Sequence, residues 1–246
     1  MNERRVPRIF SQRRRAERDR RSQRLGADPD AASWLLDEMR SDIAERIAFM
    51  KLEPDSSALI GQGFGGFAES LGGAVSHFPS LDEEQPLPGG PYDFIGSIAR
   101  LDTVNDLPGA LLHARAALND GGVFIATMLG AGSLPVLRQV LLAADAERPA
   151  ARIHPQIDNR AATSLLERAA FARQVVDRSA VRASYRDLDR LVADLREQGL
   201  TNVLADAPPP LTRASWARAN AAFDAMKDGE GRVTETFEIL TLTGWR

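Results

Sequence analysis

The 246-residue sequence contains no cysteine. A disulfide framework, a thiolate zinc site and a cysteine nucleophile are therefore excluded. Its three histidines, His77, His113 and His154, are scattered without the spacing of metal ligands, so we predict no metal site. No uninterrupted apolar run approaches the roughly 20 residues that a membrane-spanning helix needs, and no apolar signal core follows the charged N-terminus. We expect a soluble protein without a transmembrane segment.

Lysine is nearly absent too, since 29 of the 31 basic residues are arginine. Ten of these arginines lie within residues 1–25, against Glu3, Glu17 and Asp19, so this segment carries about +7 and the rest of the chain about −10. We therefore divide the chain into a basic N-terminal arm, 1–25, and a domain, 26–246. The arm favours a solvated charged helix, with a transit peptide or contact with an acidic partner or membrane surface as alternatives. Aromatic residues do not interleave with its main arginine run, so we expect no nucleic-acid partner.

Hydrophobic periodicity predicts strands that alternate with helices. Strands are predicted at 57–60, 74–78, 92–98, 123–128, 173–177 and 234–245, and helices at 30–51, from 67 onward, 105–118, 133–147, 161–170, 185–198 and 213–226. This alternation predicts an α/β fold with a mainly parallel sheet and helices on both faces. We predict that residues 184–226 form a helical cap over the substrate side.

A glycine-rich turn directly follows the first predicted strand. Gly61, Gly63 and Gly65 stand at alternate positions between that strand and a predicted helix start. Ligands of open α/β sheets bind outside the carboxyl ends of the strands, so this loop is the expected nucleotide contact. Glycine allows positive φ and close approach of a ligand. The same spacing is also compatible with a plain turn that packs a helix against a strand.

The first motif of the class I S-adenosylmethionine (SAM) methyltransferases resembles Ala58-Leu59-Ile60-Gly61-Gln62-Gly63-Phe64-Gly65. Further segments resemble the branch that contains the biotin-pathway malonyl-carrier-protein methyltransferase and the mitochondrial complex I assembly factor. These segments are Pro91-Tyr92-Asp93-Phe94-Ile95-Gly96-Ser97, Val104-Asn105-Asp106-Leu107-Pro108 and Asp120-Gly121-Gly122-Val123-Phe124-Ile125. The resemblance covers most of residues 8–246.

This resemblance implies a Rossmann-like methyltransferase fold, SAM as cofactor, and a protein or carrier-bound substrate. It implies a cytoplasmic location, or the mitochondrial matrix if the source is eukaryotic. The assembly factor is associated with arginine hydroxylation of a complex I subunit, so the fold does not by itself imply methyl transfer. The alternative is a catalytically degenerate assembly or interaction factor, of the respiratory complex I type, that uses no cofactor.

Two features depart from the family pattern. Leu59 stands where members usually carry an acidic residue, two positions before the first motif glycine. Only 16 residues separate Gly65 from Asp82. At about 1.5 Å per helical residue and about 3.3 Å per strand residue, this interval holds one helix and one strand, so we predict a fold truncated between its first and fourth strands. The ribose-binding carboxylate is expected to be lost with the missing unit.

Asp82 and Glu83 resemble the loop that contacts the adenine in this family. The candidate cofactor-binding residues are therefore Gly61, Gly63, Gly65, Asp82 and Glu83. Asp102 lies just beyond the strand 92–98, where a proton acceptor would stand, but a lone carboxylate there is usually solvated. We interpret Tyr185, Trp216 and Trp245 as core or cap packing. No catalytic residue is assigned.

Overall fold

The computed structural model describes residues 7–145 and 148–246. Within these residues the helices are α1 (Gln12–Leu25), α2 (Trp34–Met50), α3 (Leu107–Ala116), α4 (Pro135–Ala144), α5 (Asn159–Arg168), α6 (Leu188–Glu197) and α7 (Arg213–Asp224). The strands are β1 (Ser56–Ile60), β2 (Ala74–Phe78), β3 (Tyr92–Ile98), β4 (Leu118–Leu129), β5 (Arg173–Tyr185) and β6 (Val233–Trp245). Predictions for residues 1–6 and 146–147 lie outside the described residues.

The six strands form one mixed sheet in the order β2-β1-β3-β4-β6-β5. Strands β1 to β4 run parallel to one another, and β6 runs antiparallel between β4 and β5. The prediction of a mainly parallel sheet is confirmed. Because the carboxyl ends of β1 and β3 lie side by side, the loops after Ile60 and Ile98 meet at one edge of the sheet.

Helices cover both faces of the sheet, as predicted. Helices α2, α4, α6 and α7 pack on one face, around buried residues such as Leu35, Phe94 and Phe237. Helices α3 and α5 pack on the other face, around Ile95 and Phe124. Helices α6 and α7 lie between β5 and β6 in the chain, within the segment predicted to form the cap.

The first half of the sheet is shortened between β1 and β3. Residues 61–91 hold two 3₁₀ turns and the single strand β2, with no α-helix among them. The predicted helix from residue 67 is wrong, because the chain there makes only the turn Ala68–Ser70. Glycine pairs at 65–66 and 72–73 flank that turn. The segment between them is too short for its helical hydrogen bonds to offset the free-energy cost of nucleating an α-helix.

Two strands are longer than predicted. β5 continues to Tyr185 instead of ending at residue 177, since it pairs with β6 residue by residue from Arg173 to Tyr185. β5 is the edge strand and most of its side chains are at least partly exposed, so its sequence lacks the apolar alternation by which a strand is predicted. β4 begins at Leu118, before the glycines, and the ladder absorbs this with an irregularity between Tyr92 and Phe94.

Helix α1 lies on the carboxyl edge of the sheet, against the loops that follow β1 and β3. Its start is fixed by an antiparallel bridge between Phe10 and Leu204, where the Ser11 amide donates to the Val203 carbonyl at 2.9 Å. A solvated helix does not describe α1, because Arg15, Arg18, Asp19 and Ser22 are buried. The charged residues of this segment are therefore part of the packing of the domain.

Candidate functional site

The three motif glycines occupy different environments at the end of β1. A Cβ atom on Gly61, whose φ is +116°, would lie 2.5 Å from the Ile98 carbonyl oxygen. A Cβ on Gly63 would lie 2.8 Å from the Ile98 side chain, whereas one on Gly65 would meet nothing within 4 Å. Two of the glycines are therefore required by the close approach of the β3 end, independently of any ligand.

Helix α1 covers the glycine loop and is hydrogen-bonded to the side-chain amide of Gln62 in that loop. The Ser22 hydroxyl donates to Gln62 Oε1 at 2.9 Å, and Gln62 Nε2 donates to the Asp19 carbonyl oxygen at 3.1 Å. The space left between α1, Gln62, Gly63 and the end of β3 is about 20 Å³. The face of the loop that would meet a nucleotide is therefore in contact with the protein itself.

Four charged side chains, which we call the α1 ion cluster, hold the helix in this place: Arg15, Asp19, Glu83 and Arg100. Arg100 Nε donates to Glu83 Oε1 at 2.9 Å, and Arg100 Nη1 donates to Asp19 Oδ2 at 2.5 Å. Arg15 pairs with the other oxygen of Glu83 and donates to the Arg100 carbonyl at 3.0 Å. All four residues are buried. Burial lowers the pKa of Arg100, but the carboxylates of Glu83 and Asp19 outweigh it and raise that pKa overall.

The remaining positions expected at a cofactor site are placed elsewhere. Asp82 is exposed and accepts a hydrogen bond from Gln12 of α1 at 3.2 Å. Leu59 is fully buried in the core. Strand β2 ends at Phe78, and the next polar side chain, Ser80, donates to Asp19 at 3.3 Å. The strand beside β1 thus ends without the carboxylate that a ribose diol requires.

The residues present do not fit SAM in this arrangement of α1. Small-molecule sites have volumes of about 300–1,000 Å³, far above the roughly 20 Å³ beside Gly63. Glu83 has both oxygens engaged by Arg15 and Arg100. A ribose diol needs a free carboxylate acceptor, and neither Glu83 nor the end of β2 offers one. Of the candidate residues this leaves the exposed carboxylate of Asp82, which is already in contact with Gln12 of α1.

A much larger cavity, the cap cavity, lies on the neighbouring face of α1, with a volume of about 500 Å³. Its walls come from α1, α4, α6, the start of α7 and the segments 152–156 and 200–202. Trp216 lines this cavity, so its interpretation as plain packing was incomplete. Tyr185 and Trp245 pack as expected: the buried Tyr185 hydroxyl donates to Asp194 at 3.0 Å, and Arg173 stacks on Trp245. Burial raises the pKa of Tyr185 above its ordinary range.

Asp102 lies near the cap cavity but is not solvated. Its Oδ2 lies 3.4 Å from His154 Nε2, and both side chains are almost fully buried. Burial alone raises the pKa of Asp102, yet the neighbouring His154, Arg18 and Arg15 lower it overall. The pair therefore joins the end of β3 to the segment after α4, and Asp102 is held as a carboxylate.

Three buried arginines of this region, Arg15, Arg18 and Arg100, were not predicted as site residues. Arg15, Arg18, Asp19 and Ser22 follow the i, i+3, i+4, i+7 spacing of a buried helical stripe. A helical-period search that counts polar as well as apolar residues would have found this stripe. No comparable signal marks Arg100, because its partners come from distant segments.

Within residues 7–145 and 148–246, no three histidine or carboxylate side chains gather as potential metal ligands. None of the helices described there combines the length and apolar character needed to cross a bilayer.

Comparison with known proteins gives the family to which the chain is similar. The segment 37–205 matches the family described as "Methyltransferase domain". Arginine-hydroxylase NDUFAF5, mitochondrial, from Danio rerio is 33% identical over 170 residues, which are 67% of this chain and 53% of that protein. Malonyl-[acyl-carrier protein] O-methyltransferase from Xylella fastidiosa (strain M23) is 29% identical over 161 residues, 65% of this chain and 54% of that protein. The chain thus spans about half the length of these curated relatives.

Solved structures share the fold at low sequence identity. A Bacillus halodurans protein assigned as a methyltransferase superposes with a TM-score of 0.53 at 12% identity, over 83% of this chain and 98% of that one. The YcgJ protein of Bacillus subtilis superposes with a TM-score of 0.50 at 10% identity, over 84% and 98%. The solved structures show the shared fold, and the family match over residues 37–205 shows that the chain belongs to the methyltransferase domain family.

Proposed function

We propose that this methyltransferase-like protein is an assembly or interaction factor that acts without SAM, of the respiratory complex I type. The α1 ion cluster carries the proposal. Its two carboxylates and two guanidinium groups come from α1 and from the loops after β2 and β3, and they satisfy one another. The helix therefore occupies the face on which a methyltransferase would bind its cofactor.

Entry of a cofactor would require α1 to leave. That movement separates Arg15 and Asp19 from their partners in the ion cluster, and Ser22 from Gln62. It also detaches Phe10 from Leu204. A cofactor that binds only the rarely populated open state has its affinity reduced by the fraction of molecules in that state.

A second candidate function is SAM-dependent methyl transfer to a protein or carrier-bound substrate. It is favoured by the family match, which spans the five candidate cofactor residues, and by the relative named malonyl-[acyl-carrier protein] O-methyltransferase. In this alternative Gly61, Gly63, Gly65, Asp82 and Glu83 contact SAM after α1 moves. The place of action proposed for either function is the cytoplasm, or the mitochondrial matrix in a eukaryote.

Calorimetric titration with SAM and with S-adenosylhomocysteine separates the two functions. For the cofactor-independent factor we expect no heat and no change in melting temperature at millimolar ligand. A saturable isotherm with the unaltered protein would contradict it and support methyl transfer. Arg15→Met, which breaks one contact of α1, is expected to stay inert in the first case and to bind more tightly than wild type in the second.

A genetic test asks whether the glycine loop is needed at all. Gly65→Arg places a large side chain on the loop at the one motif glycine with open space around it. In a host that lacks the gene, we expect this variant to restore assembled complex I on native gels as well as the wild type does. Failure of a Gly65→Arg protein that keeps the wild-type melting temperature would favour cofactor use.

The outward face of α1 is the proposed contact for an acidic protein partner. Arg20 and Arg24 are exposed there, away from the ion cluster. Charge reversal at both positions is expected to lower complex I assembly in the same assay without changing the melting temperature. Unchanged assembly would remove this face from consideration.

A further inference from the structure

The cap cavity has an apolar wall and a positively charged mouth. The apolar side is formed by leucines and an indole: Leu129, Leu134, Leu137, Leu141, Leu211 and Trp216. The mouth is formed by Arg14 and Arg21 of α1 and Arg196 of α6. Its volume of about 500 Å³ lies within the range of sites that enclose small organic ligands.

The arginines at the mouth have no carboxylate partner in the part of the chain that the structure describes. Among the described residues, no ion pair involves Arg14, Arg21 or Arg196. Burial lowers the pKa of Arg21, and the neighbouring charges of Arg196, Arg24 and Arg14 lower it further. Cations that crowd one another in this way are stabilised by an anion placed between them.

The other charged residues of the cavity, Arg18, Arg152 and Glu17, each have an oppositely charged neighbour, and Arg18 Nε lies 3.5 Å from Asp19 Oδ1. Arg152 makes a two-pronged ion pair with Asp145, at 2.6 and 2.8 Å. Glu17, the carboxylate of the cavity wall, pairs with Arg13 at 2.9 Å. The uncompensated charge is therefore positive and lies on the mouth formed by α1 and α6.

Polar groups of the cavity wall also lack hydrogen-bond partners among the described residues. Both side-chain amide atoms of Gln156 are buried and have no partner there, and the same holds for Asn202 Oδ1. Buried polar groups are usually hydrogen-bonded, and the polar atoms of a ligand would satisfy these. They provide one amide donor, Gln156 Nε2, and two acceptors, Gln156 Oε1 and Asn202 Oδ1, beside the apolar wall.

We propose that the cap cavity binds a single-chain anionic amphiphile, whose carboxylate or phosphate lies among Arg14, Arg21 and Arg196 and whose apolar chain lies against the leucines and Trp216. The cavity uses a different face of α1 from the ion cluster, so this proposal does not rest on whether SAM binds. An apolar chain alone would leave the three guanidinium groups without a counter-charge. A small anion alone would leave the apolar wall in contact with water.

The site is tested by titration with decyl phosphate below its micelle concentration, measured by calorimetry and by the intrinsic tryptophan fluorescence, to which Trp216 contributes. We expect saturable one-to-one binding, at least tenfold tighter than that of decanol or of inorganic phosphate. Arg21→Gln should weaken it about tenfold. The matched change Arg20→Gln, one residue away on the exposed face, should leave the affinity within about twofold.

Four outcomes would overturn the proposal. They are no binding of decyl phosphate, equal affinity for decanol, equal affinity for inorganic phosphate, and an Arg21→Gln affinity equal to that of wild type. Binding to phosphatidylglycerol vesicles without binding of monomeric decyl phosphate would also overturn it, in favour of a membrane surface. Leu211→Trp narrows the cavity without altering a residue of α1. It provides a second variant that is independent of the arginines, and it is expected to abolish binding while keeping the wild-type melting temperature.

Discussion

The two halves of the sheet are closed by different chemistry. In the half formed by β2 and β1, the strands are five residues long, and α1 seals their carboxyl edge through the α1 ion cluster. In the half formed by β4, β6 and β5, the strands are 12 or 13 residues long, and leucine, isoleucine and phenylalanine side chains fill the space to α4 and α7. Apolar packing tolerates small changes of shape, whereas a buried ion cluster requires each partner.

The largest effect is expected from Arg100→Met, which breaks the cluster at its centre. Asp19 and Glu83 each lose a close partner while remaining buried, and removing one member of a buried pair costs about 3–5 kcal/mol. Urea denaturation measures the free energy of unfolding. The control Arg138→Met, at an exposed position on α4, should change it by less than about 0.5 kcal/mol.

A companion variant asks whether the charges themselves stabilise the fold. Arg15→Met, Asp19→Leu, Glu83→Leu and Arg100→Met together replace the cluster by apolar side chains. Such replacement is often neutral or stabilising, so we expect the combined variant to regain most of the stability lost by Arg100→Met alone. A combined variant less stable than Arg100→Met alone would contradict this expectation. It would show that the charges of the cluster stabilise the fold more than apolar packing at the same positions does.

A smaller effect is expected when one glycine of the loop is replaced. Gly63→Ala forces its Cβ against Ile98, and such overpacking costs about 1–3 kcal/mol. Gly65→Ala should be neutral or stabilise by up to about 1 kcal/mol, because its surroundings are open and its φ of −54° suits alanine. Equal losses for both variants, measured by thermal unfolding, would contradict the role given to Ile98.

A substitution of one buried side chain should lower the free energy of unfolding less in the half formed by β4, β6 and β5. Ile239→Val removes one buried methylene from β6 and is expected to cost about 0.5–1.5 kcal/mol. Val175→Thr, at an exposed position on β5, serves as the matched control and should change stability by less than about 0.5 kcal/mol. A loss for Ile239→Val as large as that for Arg100→Met would show that both halves are equally intolerant.

The smallest effect is expected at Asp102 and depends on pH. Because the pKa of Asp102 is lowered in the folded protein, its ionised form stabilises the fold above the ordinary aspartate pKa. That contribution is lost as the pH falls through the lowered value. Asp102→Asn should therefore reduce stability at neutral pH and flatten its decline below about pH 4. If the free energy of unfolding declines equally below about pH 4 in the variant and in the wild type, the ionised form of Asp102 does not stabilise the fold.

Sequence patterns predicted most of the apolar framework and little of the polar closure. β3 and α3 were predicted close to their observed bounds, because their apolar periodicity is strong and Asp106 caps the helix. The truncation between the first and fourth strands was predicted by comparing the short interval between Gly65 and Asp82 with the pattern of the family that the sequence resembles. The bounds of β3 and α3 depend on patterns among neighbouring residues, which a single sequence shows directly.

The candidate site was harder to predict because its partners are distant in the chain. Glu83 was expected to face a cofactor, and its true neighbours, Arg15 and Arg100, lie 68 and 17 residues away. The buried stripe of α1 is polar, so hydrophobic periodicity could not distinguish it from a solvated face. Charge alone does not say whether an arginine-rich helix will meet water or a carboxylate.

The bridge between Phe10 and Leu204 sets an order of events during synthesis. The segment that begins at Phe10 leaves the ribosome early, yet the residues that hold its start lie almost two hundred positions later. Contacts of such long range form late in folding, since the intervening chain must be ordered first. Helix α1 is thus synthesised well before the segment that holds its start, and its docking is expected to be complete only after Leu204 has left the ribosome.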